Sequence, residues 1–106
     1  MKCLCVCSGG NVRSVTLAFV LKHKGYDAIS SIARFNSKKT FDLLGKWADV
    51  IYVVQEKYSK AIPDKWKNKI KLFDLGPDIW HHSLNKQLIK KILKIMKKLN
   101  IREIDK

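Results

Sequence analysis

The residues best suited to chemistry stand together near the start of the chain, in the run Cys7-Ser8-Gly9-Gly10-Asn11-Val12-Arg13-Ser14. Glycines at positions 9 and 10 let the backbone curl, so that successive N–H groups turn inward as an anion nest. Arg13 adds a planar fork that can hold two oxygens of a phosphate-like group. A cysteine at the base of such an electropositive cup is favoured as the thiolate, and the Ser14 hydroxyl can steady it with a hydrogen bond. This set suits attack of sulfur on phosphorus, giving a cysteinyl-phosphate that water then hydrolyses. The loop from Ser8 through Gly9, Gly10, Asn11, Val12 and Arg13 to Ser14 would hold the equatorial oxygens through the transition state.

The other reactive side chains read differently. All three cysteines fall between Cys3 and Cys7, an odd number with no disulfide framework. On a strand, Cys3, Cys5 and Cys7 share one face at steps of about 7 Å, too far to be bridged and unable to converge on one zinc. Cys3 and Cys5 are expected as core residues. His81 and His82 are adjacent on an extended stretch and point opposite ways, so they are read as surface or rim residues, and His23 as a helix exterior. Trp47 and Trp66 are read as packing residues. No metal or other cofactor is expected.

The elements that must position the loop follow from periodicity. "KCLCVC" is a short β-prone run, with "SGGN" as its exit turn. "SVTLAFVLKHK", from Ser14 to Lys24, is apolar nearly all round at its start, which predicts a helix buried against a sheet and stopped at Gly25. A second strand is expected around Ala28 to Ile32, then a helix in "SKKTFDLLGKWA" with Ser37 or Thr40 as cap. "DVIYVV" has no polar alternation and reads as a strand buried on both faces. "EKYSKAI" is expected as a short helix closed by Pro63, and "KIKLF" as a fourth strand ending at Asp74. The last helix is expected from Leu84 to Leu99. Leu84, Leu88, Ile92, Met96 and Leu99 form its apolar stripe, and Lys86, Lys90, Lys94 and Lys97 face water. Strand and helix alternate about four times, which predicts an α/β three-layer sandwich on a four-stranded parallel sheet. Ligands of such sheets bind beyond the carboxyl ends of the strands, where the loop from Cys7 to Arg13 lies.

Composition narrows the function classes. A chain of 106 residues, 46% of them hydrophobic, is expected as one domain over residues 1–106. No apolar run nears the roughly 18 residues of a membrane helix, and "SGG" with Arg13 breaks the start too early for a signal peptide. A soluble, cytoplasmic protein is the expectation. Lys and Arg total 22 against 9 acidic residues, a formal charge of +13. Only three of the 22 are arginine, which disfavours specific nucleic-acid readout and leaves attraction of anionic substrates.

"VCSGGNVRS" after a short strand resembles the phosphate loop of low-molecular-weight protein tyrosine phosphatases, and "WADVIYVV" resembles the family's next strand. The resemblance implies a four-stranded parallel sheet, no metal, and hydrolysis of phosphotyrosine or similar monoesters, on a phosphorylated protein or a small phosphomonoester. It implies Cys7 as nucleophile, Arg13 as phosphate clamp and Ser14 as thiolate partner. The family's general acid is an aspartate in a loop after the last strand. In "DLGPDIWHH", Asp78 fits that pattern better, and Asp74 at the strand end is read as capping or positioning the loop. Asp78 would protonate the leaving phenolate and then activate water, with Trp80 as an aromatic wall for the substrate ring. Gly10 stands where the family carries asparagine, which comes one later at Asn11. Val12 stands where many members carry a second cysteine.

Three other functions fit parts of the pattern. A thioredoxin-coupled arsenate reductase needs further cysteines, and none follows Cys7. A IIB-type phosphocysteine carrier usually lacks the loop arginine. A noncatalytic phosphate-binding module is the third.

Overall fold

In a computed structural model, residues 1–8, 12–33, 37–77, 79–80 and 82–102 are described. Four parallel strands, β1 (Lys2–Cys7), β2 (Asp27–Ile32), β3 (Val50–Val53) and β4 (Ile70–Leu72), form one sheet in the order β2-β1-β3-β4. Helices α1 (Val12–His23) and α3 (Lys86–Lys98) pack on one face and α2 (Lys38–Trp47) on the other. The fold is thus the α/β sandwich that the alternation predicts.

Strand β1 lies at the centre, pairing Cys3 with Ala28 and Val50, and Cys5 with Ser30 and Tyr52. Its two faces serve two cores. Cys3, Cys5 and Cys7 enter the layer under α1 and α3 with Leu17, Leu21, Tyr52, Phe73, Leu88 and Ile92. Leu4 and Val6 enter the layer under α2 with Phe41, Ile51, Val53 and Ile62. This alternation is the period-2 geometry of a strand buried on both sides. Burial pushes the Cys3 thiol up to about 11 and the Cys5 thiol well above its ordinary 9.0. Both are free thiols of the core.

The helix ends carry their expected chemistry. Gly25 adopts φ +95° after α1, and the Tyr26 N–H reaches back to the Leu21 carbonyl at 3.1 Å, closing a left-handed cap. Asn100, with φ +57°, ends α3 the same way, with the Ile101 N–H on the Met96 carbonyl at 2.9 Å. Ser37 is the cap of α2, its Oγ accepting the Thr40 N–H at 3.1 Å.

Several boundaries differ from those expected. The first helix begins at Val12, so Arg13 and Ser14 lie within its first turn. The last helix begins at Lys86, not Leu84: Asn85 caps it by accepting the Gln87 and Leu88 N–H groups, and Leu84 sits outside at φ +59° and 44% exposed. The buried stripe is Leu88, Ile92 and Met96 alone. "EKYSKAI" forms a 3-10 helix at Glu56–Ala61, and a second one at Asp64–Lys69 leads into β4. Strand β4 is shorter than expected, though the Phe73 and Leu75 N–H groups still bond to Val53 and Val54. Among the described residues no helix is long and apolar enough to cross a membrane.

Candidate active site

The strand order reverses beside β1. From it the chain moves outward to β2, and α2 returns it to β3 on the other side, leaving a crevice beyond the carboxyl ends of β1 and β3. Cys7 is the last residue of β1, and Gln55 stands two residues beyond the end of β3. The first turn of α1 faces the same crevice, with no acidic residue to offset the positive end of its dipole.

Within this crevice the Cys7 Sγ lies 2.9 Å from the Ser14 Oγ, both buried. A strand end and a helix start hold the two seven residues apart in sequence and in hydrogen-bond contact. The direction of that bond follows the state of the sulfur. Toward a thiolate, Ser14 is the donor.

Arg13 is 1% exposed. Its Nη1 donates to the Gln55 Oε1 at 2.6 Å and to the Gly76 carbonyl at 2.7 Å. Its Nη2 donates to the Tyr58 hydroxyl at 2.8 Å and to the Ser8 Oγ at 3.3 Å. The Tyr58 hydroxyl donates in turn to the Gln55 Oε1 at 3.3 Å, and the Tyr58 ring centroid lies 5.4 Å from the guanidinium carbon. Segments after β1, β3 and β4 thus converge on one guanidinium. All its partners among the described residues are neutral, and no carboxylate pairs with it there. A buried cation of this kind is costly without a counter-charge. A guanidinium fixed in this way is suited to hold an anion in the crevice.

The loop after β4 is built to present the Gly76 carbonyl. Gly76 takes φ +68°, a conformation that disfavours a side chain, and its N–H is accepted by the Asp74 Oδ1 at 3.0 Å. Asp74 is exposed and holds the turn, as the sequence reading of a positioning role expects. The far end of the loop is tied to α1, where the Thr16 Oγ1 donates to the Val12 carbonyl at 2.7 Å and accepts the Leu84 N–H at 3.0 Å.

Of the residues singled out in the sequence, Cys7, Ser8, Arg13 and Ser14 are brought together here. Val12 opens α1 beside them. Gly9, Gly10, Asn11, Asp78 and His81 lie outside the described residues. Trp80 is half-buried and packs toward α3, its carbonyl accepting from Asn85 Nδ2 and its ring under the Lys91 ammonium. Among the described residues no cluster of three His, Cys, Asp or Glu could hold a metal. His23 is exposed on α1, as expected, with its ring edge-to-face with Phe19, while Trp66 packs on α2 and Trp47 joins the α2 core, as packing roles require.

Gln55, Tyr58 and Gly76 belong to no motif in the sequence. The signal for Gln55 was its place just after a fully buried strand, at the same sheet edge as the loop. Nothing local marks Tyr58, and the role of Gly76 is carried by its backbone oxygen.

No protein-family model matches the chain, and a search of curated proteins finds no match. Solved structures do match. Vibrio vulnificus Wzb, in complex with benzylphosphonate, superposes with a TM-score of 0.67 at 18% identity, covering 93% of this chain and 94% of that one. The tyrosine phosphatase Wzb from Escherichia coli K30, in complex with phosphate, gives 0.65 at 14% identity over 92% and 94%. The YwlE arginine phosphatase from Geobacillus stearothermophilus gives 0.63 at 16% identity over 93% and 92%. At these identities the likeness is one of fold, and it extends over nearly the whole of each chain. The fold expected from the loop resemblance is the fold observed.

Proposed function

We propose that this chain is a phosphatase that hydrolyses phosphotyrosine or a related phosphate monoester through a cysteinyl-phosphate intermediate on Cys7. The observation that carries this reading is the buried Arg13 guanidinium, held by neutral acceptors beside the Cys7–Ser14 pair. That arrangement supplies a nucleophile, its hydroxyl partner and a fixed positive charge. Fold neighbours that are phosphatases, two of them bound to phosphate or benzylphosphonate, support the same reading.

In the first step the Cys7 sulfur attacks phosphorus and the bond to the leaving oxygen breaks, with Asp78 giving that oxygen its proton. In the second step water attacks phosphorus, Asp78 takes a proton from it, the P–S bond breaks and the thiolate returns. Arg13 and the N–H groups of residues 8–14 hold the non-bridging oxygens throughout. Trp80 would wall the substrate ring. Ser14 keeps the thiolate aimed.

The test is turnover of p-nitrophenyl phosphate by wild type and Cys7→Ser, with phosphotyrosine and phosphoarginine assayed alongside because the fold neighbours include an arginine phosphatase. Turnover by wild type, abolished in Cys7→Ser, is the expected result. Binding of phosphate or vanadate without any turnover would overturn it in favour of a noncatalytic phosphate-binding module. Accumulation of a stable phosphocysteine would favour a carrier.

A further inference from the structure

Beside the loop that presents Gly76 lies a groove of about 670 Å³ between Trp80 and α3. Trp80 and Ile95, both half-buried, form its apolar lining, and Lys90, Lys91, Lys94 and Lys98 are its basic residues. The Trp80 Nε1 is buried and has no hydrogen-bond partner among the described residues. Lys90 and Lys94 are exposed, as expected, and border this concave surface. We propose that this groove docks an acidic peptide segment of a phosphoprotein substrate, flanking the phosphorylated residue.

The proposal rests on the phosphatase reading and specifies its substrate class. Four ammonium groups with no acidic residue among the groove lining select an anionic occupant. The apolar lining selects one that also carries an apolar side chain. From Lys90 to Lys98 the helix advances about 12 Å at 1.5 Å per residue. That is the length of roughly four residues of extended chain. A nucleic acid fits less well: the groove lining offers no arginine, and the Trp80 ring already has the Lys91 ammonium 5.6 Å from its centroid. A membrane surface is met by projecting apolar side chains, whereas Trp80 and Ile95 are recessed.

The groove also adjoins the site. The Lys91 Nζ that lies against Trp80 donates to the Leu75 carbonyl at 3.3 Å, and the next residue, Gly76, gives its carbonyl to Arg13. A peptide with its phosphorylated residue at Cys7 has its flank beside α3.

The test separates docking from chemistry. A fluorescein-labelled, unphosphorylated Glu-Asp-Phe-Glu-Asp peptide is titrated by anisotropy against Cys7→Ser, which turns nothing over. Lys94→Glu/Lys98→Glu should weaken its binding by about tenfold or more. Lys38→Glu/Lys39→Glu, the same charge change on α2, should leave it within about twofold. Trp80→Ala, which removes the aromatic part of the lining, should weaken it several-fold. In the wild-type background, Lys94→Glu/Lys98→Glu should lower kcat/KM for the matching phosphotyrosine peptide and leave p-nitrophenyl phosphate turnover unchanged. Equal losses in the two charge-reversed pairs would overturn the groove. So would tighter, Lys94- and Lys98-dependent binding of a short oligonucleotide or of phosphatidylserine vesicles. Peptide binding by a chain that hydrolyses no phosphomonoester sinks the phosphatase reading and leaves the groove standing. Turnover without peptide binding sinks the groove alone.

Discussion

The Oγ of Ser14, in the first turn of α1, lies 2.9 Å from the Sγ of Cys7 at the end of β1, and neither residue is more than 1% exposed. On the proposed mechanism that hydroxyl is the donor to the attacking sulfur. A hydrogen bond to a charged group contributes about 1.5–3 kcal/mol. Ser14→Ala should therefore lower kcat about 10- to 100-fold with a smaller effect on KM, measured by steady-state kinetics on p-nitrophenyl phosphate. Alkylation of Cys7 at neutral pH should slow in parallel.

Four acceptors in two directions pin the Arg13 fork. A lysine has one ammonium and cannot satisfy them from a plane, so Arg13→Lys should cost about 10²–10³ in kcat/KM. Gln55→Leu and Tyr58→Phe each remove one neutral partner and should raise the inhibition constant of inorganic phosphate by about 2- to 10-fold. The double variant should fall short of the product of the two, because Gln55 and Tyr58 also bond to each other.

Asp74 and Asp78 are separated by what asparagine can replace. Asp74 accepts the Gly76 N–H, a bond that an amide oxygen also makes, so Asp74→Asn should retain most activity and Asp74→Ala should lose more. Asp78 is proposed as proton donor, which asparagine cannot be, so Asp78→Asn should lower the rate by about 10²–10⁴. Retained activity in Asp78→Asn with a large loss in Asp74→Asn would reverse the assignment.

The three thiols should separate by reactivity. With burial pushing Cys3 up to about 11 and Cys5 well above 9.0, native protein treated with iodoacetamide at neutral pH should be modified at Cys7 alone, and phosphate should protect it. All three should react in urea, read by peptide mass mapping. The raised thiols also set a pH dependence. Above pH 9 the unfolded chain ionises Cys3 while the folded chain keeps it protonated, so the unfolded state binds fewer protons and stability falls between about pH 9 and 11. Tyr52, pushed up to about 12 chiefly by burial, extends that fall to higher pH. The Tm should drop over this range, and Cys3→Ala should flatten the drop.

Gly45 is needed for space. A Cβ there would stand 2.6 Å from the Trp66 ring, whose Nε1 is held by Asp42 at 3.3 Å. Although alanine favours helix, overpacking costs about 1–3 kcal/mol, and Gly45→Ala should lower the Tm by several degrees in a thermal melt.

By itself the sequence determined the place of the candidate site at the end of β1, the alternation of strand and helix, and the common strand face of Cys3, Cys5 and Cys7. Each of these is local: a strand's period of two, a glycine pair, an arginine and serine at the start of a helix. The stop at Gly25 and the cap at Ser37 were legible for the same reason, since one residue's backbone preference or side-chain oxygen decides them. The tertiary structure decided the surroundings of Arg13. Gln55, Tyr58 and Gly76 are 42 to 63 positions away from it in the chain, and only the pairing of β1, β3 and β4 brings their segments to one edge. One of those partners is a backbone carbonyl, which every residue carries and no sequence pattern marks. The apolar period alone places the start of α3 at Leu84, whereas the Asn85 cap and the Thr16 hydroxyl on the Leu84 N–H set it two residues later, at Lys86. The groove beside Trp80 is likewise tertiary, since α3 carries its lysines in any amphipathic reading and only the packing of the loop after β4 turns them toward an indole.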